Sequence, residues 1–392
     1  MRNTHIAILV NSYSRNGGAS KSIRECAESL AERGHSVHIL TNRSSYEKLP
    51  ENAGLVRTKQ DVLTALNEYD AEIVLFFKAA KSLVDKSIFS KFMAIKPKLD
   101  KNIRVITIVC QRPSNPNTVL TPFEINNSDH LIFIDKTAYY DPLYSFIPEN
   151  RKSWTYLSIP DNGPNPLDRY VKTDYSLKND EVVFGRGSSF NKCPKDILEP
   201  FDKVKVCGKK KFVIVGVPKS HNWLTAKINK RGKNDVVTYP LMGFDEWIEK
   251  VSKFDIGLYI LPVDAHSSID GTLGQMMRIG LPVIVGGAPA PKERIIHGEN
   301  GFVADTVPAI AHYAELLTND QDLRERMGKA ARRSTLELNS VSWIDKLEDV
   351  MEKCFPQTTP VAIPFITRNK IYFIHFLALL KAWVIRPIKK VL

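Results

Sequence analysis

The stretch VNSYSRNGGASKSIRECAESLAERGHSVHILT, Val10 to Thr41, decides the fold. It starts at the end of an apolar run, HIAILV (5–10), which reads as a buried strand. Two adjacent glycines, Gly17 and Gly18, follow in a turn. Ile23, Cys26, Ala27, Leu30 and Ala31 then recur at steps of three and four, which is one face of an α-helix. Gly34 ends that helix, since glycine takes the left-handed conformation at little steric cost. HSVHILT (35–41) returns as the next strand. Strand, helix and strand with short links make a parallel βαβ unit.

Working outward, the same alternation continues. AEIVLFF (71–77), RVITIVC (104–110) and HLIFID (130–135) are short apolar runs bounded by polar segments, as central strands of a sheet covered on both faces are. Near Ile159 the texture changes to SIPDNGPNPLDRY, a turn-rich linker. The alternation restarts with EVVFGRG (181–187), KFVIVGV (211–217), FDIGLYILPV (254–263) and LPVIVGG (281–287). After Val303 the chain reads helical until the Pro-rich PQTTPVAIPF (356–365). The expected fold class is α/β, with two Rossmann-like doubly wound domains facing a cleft. Their expected bounds are 1–165 and 175–355, followed by a basic apolar tail at 356–392. In such sheets ligands lie outside the carboxyl ends of the strands.

Bulk properties narrow the partners. A chain of 392 residues exceeds one ordinary core. Its formal net charge of +12 points to nucleic acid, an anionic membrane or phosphate-bearing small molecules, beside a merely solvated basic surface. Nucleic acid is disfavoured, because zinc-finger spacing, an aromatic RNA-binding signature and a long basic tail are all missing. Five scattered cysteines without CxxC spacing read as reduced thiols of a cytosolic compartment. The first residues read without a signal peptide, and no run of ~18 apolar residues suggests a spanning helix. The expected location is cytoplasmic. In the tail, apolar and aromatic residues from Ile371 to Ile385 are flanked by cations. That composition suits an interfacial helix on the anionic inner face of the cell membrane, and equally a terminal helix packed on the first domain.

Four stretches together resemble a known family. They are NGGASKSIRECAESLAERGHSVHILT, VVFGRGSSFNKCPKDILEPF, GQMMRIGLPVIVGGAPAPKERIIHGENGFVAD, and NDQDLRERMGKAARRS with SVSWIDKLEDVMEK. In order and spacing the chain resembles GT-B glycosyltransferases of family 4, the retaining, nucleotide-sugar-dependent group 1 enzymes. The resemblance implies transfer of a sugar from a nucleotide-diphosphate sugar to a saccharide or lipid-linked acceptor, in bacterial cell-surface polysaccharide synthesis. Two alternatives stay open: a non-catalytic scaffold of the same fold, and a sugar-nucleotide epimerase.

In such a transfer, negative charge builds on the diphosphate as its bond to the sugar breaks, and fixed cations in a water-poor site stabilise that charge. The resemblance assigns this role to Arg186 and Lys192. The segment Asp270–Gly271–Thr272 opens a short helix ending near Gly280, with Leu273, Met276 and Met277 on one face. Free N–H groups and the dipole at such a terminus attract phosphate. Gly271, Thr272, Leu273 and Gln275 are the expected donor-binding residues, with Asp270 beside the sugar. Gln275 stands where the family carries the second of two glutamates, and Ser267 or His266 where it carries the first; an amide can still donate and accept there. The resemblance turns the Gly17–Gly18 loop toward the cleft. That turn lacks GxGxxG and a ribose-binding acid, which argues against an NAD enzyme. Gln111 and Arg112, with Lys78 and Lys81, follow strands on the acceptor side. No Asp-x-Asp pair stands at a strand end, so neither a metal nor another cofactor is expected, the nucleotide sugar being a substrate.

Overall fold

The computed structural model describes residues 3–13, 18–44, 49–78, 87–99, 102–110, 119–159, 167–187, 193–217, 222–231, 234–263, 271–354 and 360–388. Two compact units divide the chain: Met1–Ser158 with Ser340–Leu392, and Ile159–Asn339.

Among the described residues the first unit holds seven parallel strands: β1 (His5–Val10), β2 (Ser36–Thr41), β3 (Ala53–Leu55), β4 (Ile73–Lys78), β5 (Arg104–Val109), β6 (His130–Phe133) and β7 (Lys152–Trp154). Their spatial order is β3-β2-β1-β4-β5-β6-β7. All six residues of β4 are buried, as a central strand covered on both faces requires. Alternation sends Ile6, Ile8, Ile73 and Leu75 to one layer with Ile23, Cys26 and Leu30 of the helix Gly18–Glu32. Ala7, Leu9, Val74 and Phe76 go to the other, against Val62, Phe89 and Phe92. Gly34 closes the first helix at φ 91°, as its position in the sequence predicts.

The second unit repeats the plan with β8 (Glu181–Arg186), β9 (Lys209–Val215), β10 (Val236–Tyr239), β11 (Ile256–Ile260), β12 (Val283–Gly286) and β13 (Phe302–Val303). Their order is β10-β9-β8-β11-β12-β13, all parallel, so each unit starts its chain in the middle of its sheet and reverses direction there. Both sheets therefore have the doubly wound topology the sequence predicts. The strands that the apolar runs do not reveal are β3, β7, β10 and β13, the edges of the two sheets. An edge strand packs on fewer neighbours and needs no continuous apolar run.

The domain bounds read from the sequence need correction. The break falls after Ser158, and the helix Ser340–Lys353 belongs to the first unit, not the second. Trp343, Ile344, Leu347, Val350 and Met351 complete the core beneath the helix Gly18–Glu32. Glu348 is nearly buried there; it pairs with Arg33 at 2.5 Å and meets His35 Nε2 at 3.0 Å. The tail packs on the first unit, one of the two placements its composition suits. It forms the helix Phe365–Ile388, with Ile371 fully buried against the first unit.

Candidate functional site: the carboxyl edge of the second sheet

Arg186 is the last residue of β8. Strand alternation turns it the same way as Val182 and Phe184, and its side chain is fully buried. Its Nη1 donates to the carbonyl of Ile260, the last residue of β11, at 3.1 Å. Its guanidinium also hydrogen-bonds the Cys193 thiol; burial pushes that thiol's pKa up, and Arg186 draws it back down. The flanking glycines are required by packing. A Cβ on Gly185 would lie 1.9 Å from the Phe254 ring, and one on Gly187 would lie 3.0 Å from Trp247 and Val251. Trp247 Nε1 donates to the Gly187 carbonyl at 2.7 Å, so the helix Phe244–Val251 holds the strand end from the face opposite the guanidinium.

After β11 the chain crosses to β12 through the helix Gly271–Arg278, whose first turn thus lies at the carboxyl edge of the sheet. Leu273, Met276 and Met277 are fully buried, as their spacing predicts. Gly257 lets Met276 approach β11: a Cβ there would come within 2.5 Å of the methionine methyl. Gln275 is 7% exposed and Gly271 and Thr272 are half-buried. Arg294 and Ile159 lie over Gly274, within 2.6 and 2.9 Å of where a Cβ would be. Beyond β12 the chain turns at Gly287, with φ +79° and only 1.7 Å between a hypothetical Cβ and the Leu261 carbonyl. Asp305 accepts from the Gly287 amide at 2.8 Å and pairs with Lys292 at 2.5 Å. Asn300 folds the GENG turn back by accepting from Ile296 N and donating to Arg294 O.

Of the residues expected from the sequence, Arg186 ends β8, Gly271 and Thr272 open the helix Gly271–Arg278, Gln275 is nearly buried in its second turn, and Leu273 packs into the core. Lys192, Asp270, Ser267, His266, Gly17, Lys81, Gln111 and Arg112 lie outside the described residues. Gly18 begins the helix Gly18–Glu32. Lys78 departs from the expectation of a loop cation on the acceptor side. It is buried at the end of β4 and ion-paired with Glu124, which also accepts from Thr121 N and Oγ1. Burial lowers the Lys78 pKa while Glu124 opposes that shift.

Sequence reading missed Cys193 and Trp247, which meet Arg186 and Gly187 only through folding. It also missed an amide network at the carboxyl edge of the first sheet. There Asn11 Oδ1 accepts from Ile88 N at 2.9 Å and from Asn42 Nδ2 at 3.3 Å, and Lys91 Nζ donates to Asn42 Oδ1 at 2.7 Å. Asparagines directly after β1 and β2 were the available signal. Among the described residues no group of three His, Cys, Asp or Glu side chains could hold a metal ion.

Comparison with known proteins fits this geometry. Residues 178–334 match the family Glycosyl transferases group 1. The chain is 24% identical over 362 residues to N-acetyl-alpha-D-glucosaminyl L-malate synthase of Bacillus anthracis, covering 85% of this chain and 92% of that protein. Its fold is similar to WaaG, a glycosyltransferase involved in lipopolysaccharide biosynthesis, with TM-score 0.61, 16% identity, and coverage of 88% and 99%. It is similar also to Anabaena Alr3699/HepE in complex with UDP, with TM-score 0.63, 14% identity, and coverage of 89% and 100%. The fold is GT-B. The matched residues lie within the second unit, and the chain is a glycosyltransferase.

Proposed function

We propose that this glycosyltransferase takes its sugar from a nucleotide-diphosphate sugar and transfers it, with retention of anomeric configuration, to a saccharide or lipid-linked acceptor in bacterial cell-surface polysaccharide synthesis. The acceptor is reached at the inner face of the cell membrane. The observation that carries the reading is the placement of Arg186. Its guanidinium stands at the carboxyl edge of the sheet and is oriented by the end of β11, whose crossover helix opens at Gly271. A buried cation at a strand end and the free amides that open a crossover helix are each suited to a diphosphate. Support comes from the UDP held by one GT-B neighbour and the lipopolysaccharide role of another.

In this mechanism the bond from the anomeric carbon to the diphosphate oxygen breaks as the acceptor oxygen bonds that carbon on the same face. The departing phosphate takes the acceptor proton. Arg186 and Lys192 stabilise the diphosphate, helped by the amides of Gly271 and Thr272, without a metal. Gln275 orients the donor through its amide.

The test is turnover and product stereochemistry over a panel of nucleotide sugars. Arg186→Met lowers turnover by about two orders of magnitude, the usual cost of losing one charge-stabilising donor. Arg186→Lys, which retains the charge, recovers part of it. Chelator leaves the rate unchanged, and NMR finds the donor's anomeric configuration in the product. Donor consumption without any acceptor would favour the epimerase reading. Wild-type turnover in a folded Arg186→Met protein would remove the assignment.

A further inference from the structure

The helix Phe365–Ile388 turns an unusual surface outward. One side seats on the first unit. Ile371 is fully buried, Ile374 is partly buried, and both join the cluster of Leu120, Phe133 and Tyr144. The approach to this helix is pinned by Val361 N donating to Asn126 Oδ1 at 2.8 Å. His375, one turn beyond Ile371, lies within electrostatic reach of the buried Lys78–Glu124 pair. A helix seated this way normally shows water a polar back. Here the back is mostly apolar, with Asn369 its one polar member between the borders: Ile366 is 81% exposed, Phe365 68%, Phe373 58% and Phe376 56%, with Tyr372 and Leu377 beside them. At 3.6 residues per turn these side chains share one outward arc, and Arg368 and Lys370 fall on its two borders.

We propose that this arc is a docking face for an anionic lipid bilayer, on which the helix lies flat. Charge selects the occupant. From residue 365 to 392 the sequence holds Arg368, Lys370, Lys381, Arg386, Lys389 and Lys390, and neither aspartate nor glutamate. Aromatic side chains at the headgroup boundary, bordered by cations, are the chemistry of an interfacial anchor. No helix among the described residues is long and apolar enough to cross a membrane. The inward stripe fixes the side of the protein that faces lipid. Ile371 shares its cluster with Val109 and Phe133, the last residues of β5 and β6, so the bilayer lies by the carboxyl edge of the first sheet. That is the edge expected to receive the acceptor, and here the inference rests on the proposed function; lipid binding itself does not.

Sedimentation of the full chain with phosphatidylcholine vesicles, with and without phosphatidylglycerol, tests the proposal without any donor. Binding rises about tenfold or more with the anionic lipid and falls with salt. The double variant Phe373→Ser/Phe376→Ser keeps its melting temperature, loses about tenfold in binding and keeps turnover on a soluble acceptor. Arg368→Gln/Lys370→Gln loses the salt-sensitive part. Equal binding to both vesicle types, or undiminished binding by the serine variant, overturns the proposal. A dimer that the serine variant dissolves, with no vesicle binding, would assign the face to a second copy of the chain. Failure of sugar transfer with vesicle binding intact would count against the proposed function alone.

Discussion

The two sheets share a strand order and differ in how each treats a buried cation at its carboxyl edge. In the first unit Lys78, ending β4, meets the carboxylate of Glu124. In the second, Arg186, ending β8, is held by the carbonyl of Ile260 and the thiol of Cys193. A carboxylate opposes a positive charge directly, whereas a carbonyl and a thiol help to set the direction of a guanidinium. The first arrangement serves the fold. The second fixes the direction of a guanidinium at the end of β8. Position at a strand end is thus a weak guide to function until the partner is known.

The contrast can be broken by substitution. Lys78→Met alone strands Glu124 in the interior, and chemical denaturation should show a loss of about 3 kcal/mol. Adding Glu124→Leu recovers most of it, since replacing a whole buried pair by apolar groups is often nearly neutral. If the double variant also transfers sugar normally, the pair is structural; a large loss of turnover in the folded double variant would place it in the acceptor site. Arg186→Met should reverse the balance. Its effect on turnover, about a hundredfold or ~3 kcal/mol in the barrier, should exceed its effect on melting.

A smaller effect tests the frame that aims Arg186. Gly185→Ala drives a methyl into the Phe254 ring, and the second unit should lose on the order of 1–3 kcal/mol by the same denaturation measurement. If the melting point is unchanged, the close approach of Phe254 to β8 is wrong.

The last prediction separates the units by pH. Burial pulls the His130 pKa down to about 4, with Arg151 and Lys346 adding to the shift. The unfolded chain binds a proton near pH 6.5 that the native ring refuses. Stability of the first unit should therefore be full above about pH 6.5 and fall as pH drops toward about 4. His38 and His375, also depressed chiefly by burial, act in the same direction. Hydrogen exchange of the β4–β6 amides at pH 7 and pH 5 reads this, and His130→Gln should flatten the difference.

The sequence by itself determined the interior strands of both sheets, the turns at Gly34 and Gly280 (φ +82°), and the helix that carries Leu273, Met276 and Met277. Each of these is written in local periodicity or in one residue's backbone freedom, which needs no partner to be read. Only the tertiary structure decided the edge strands, the return of the helix Ser340–Lys353 to the first unit, the pairing of Lys78 with Glu124, and the outward apolar face of the last helix. The contacts behind the last three join residues tens to hundreds of positions apart. Short-range pattern says that a side chain will be buried, but which partner receives it depends on how the whole chain closes.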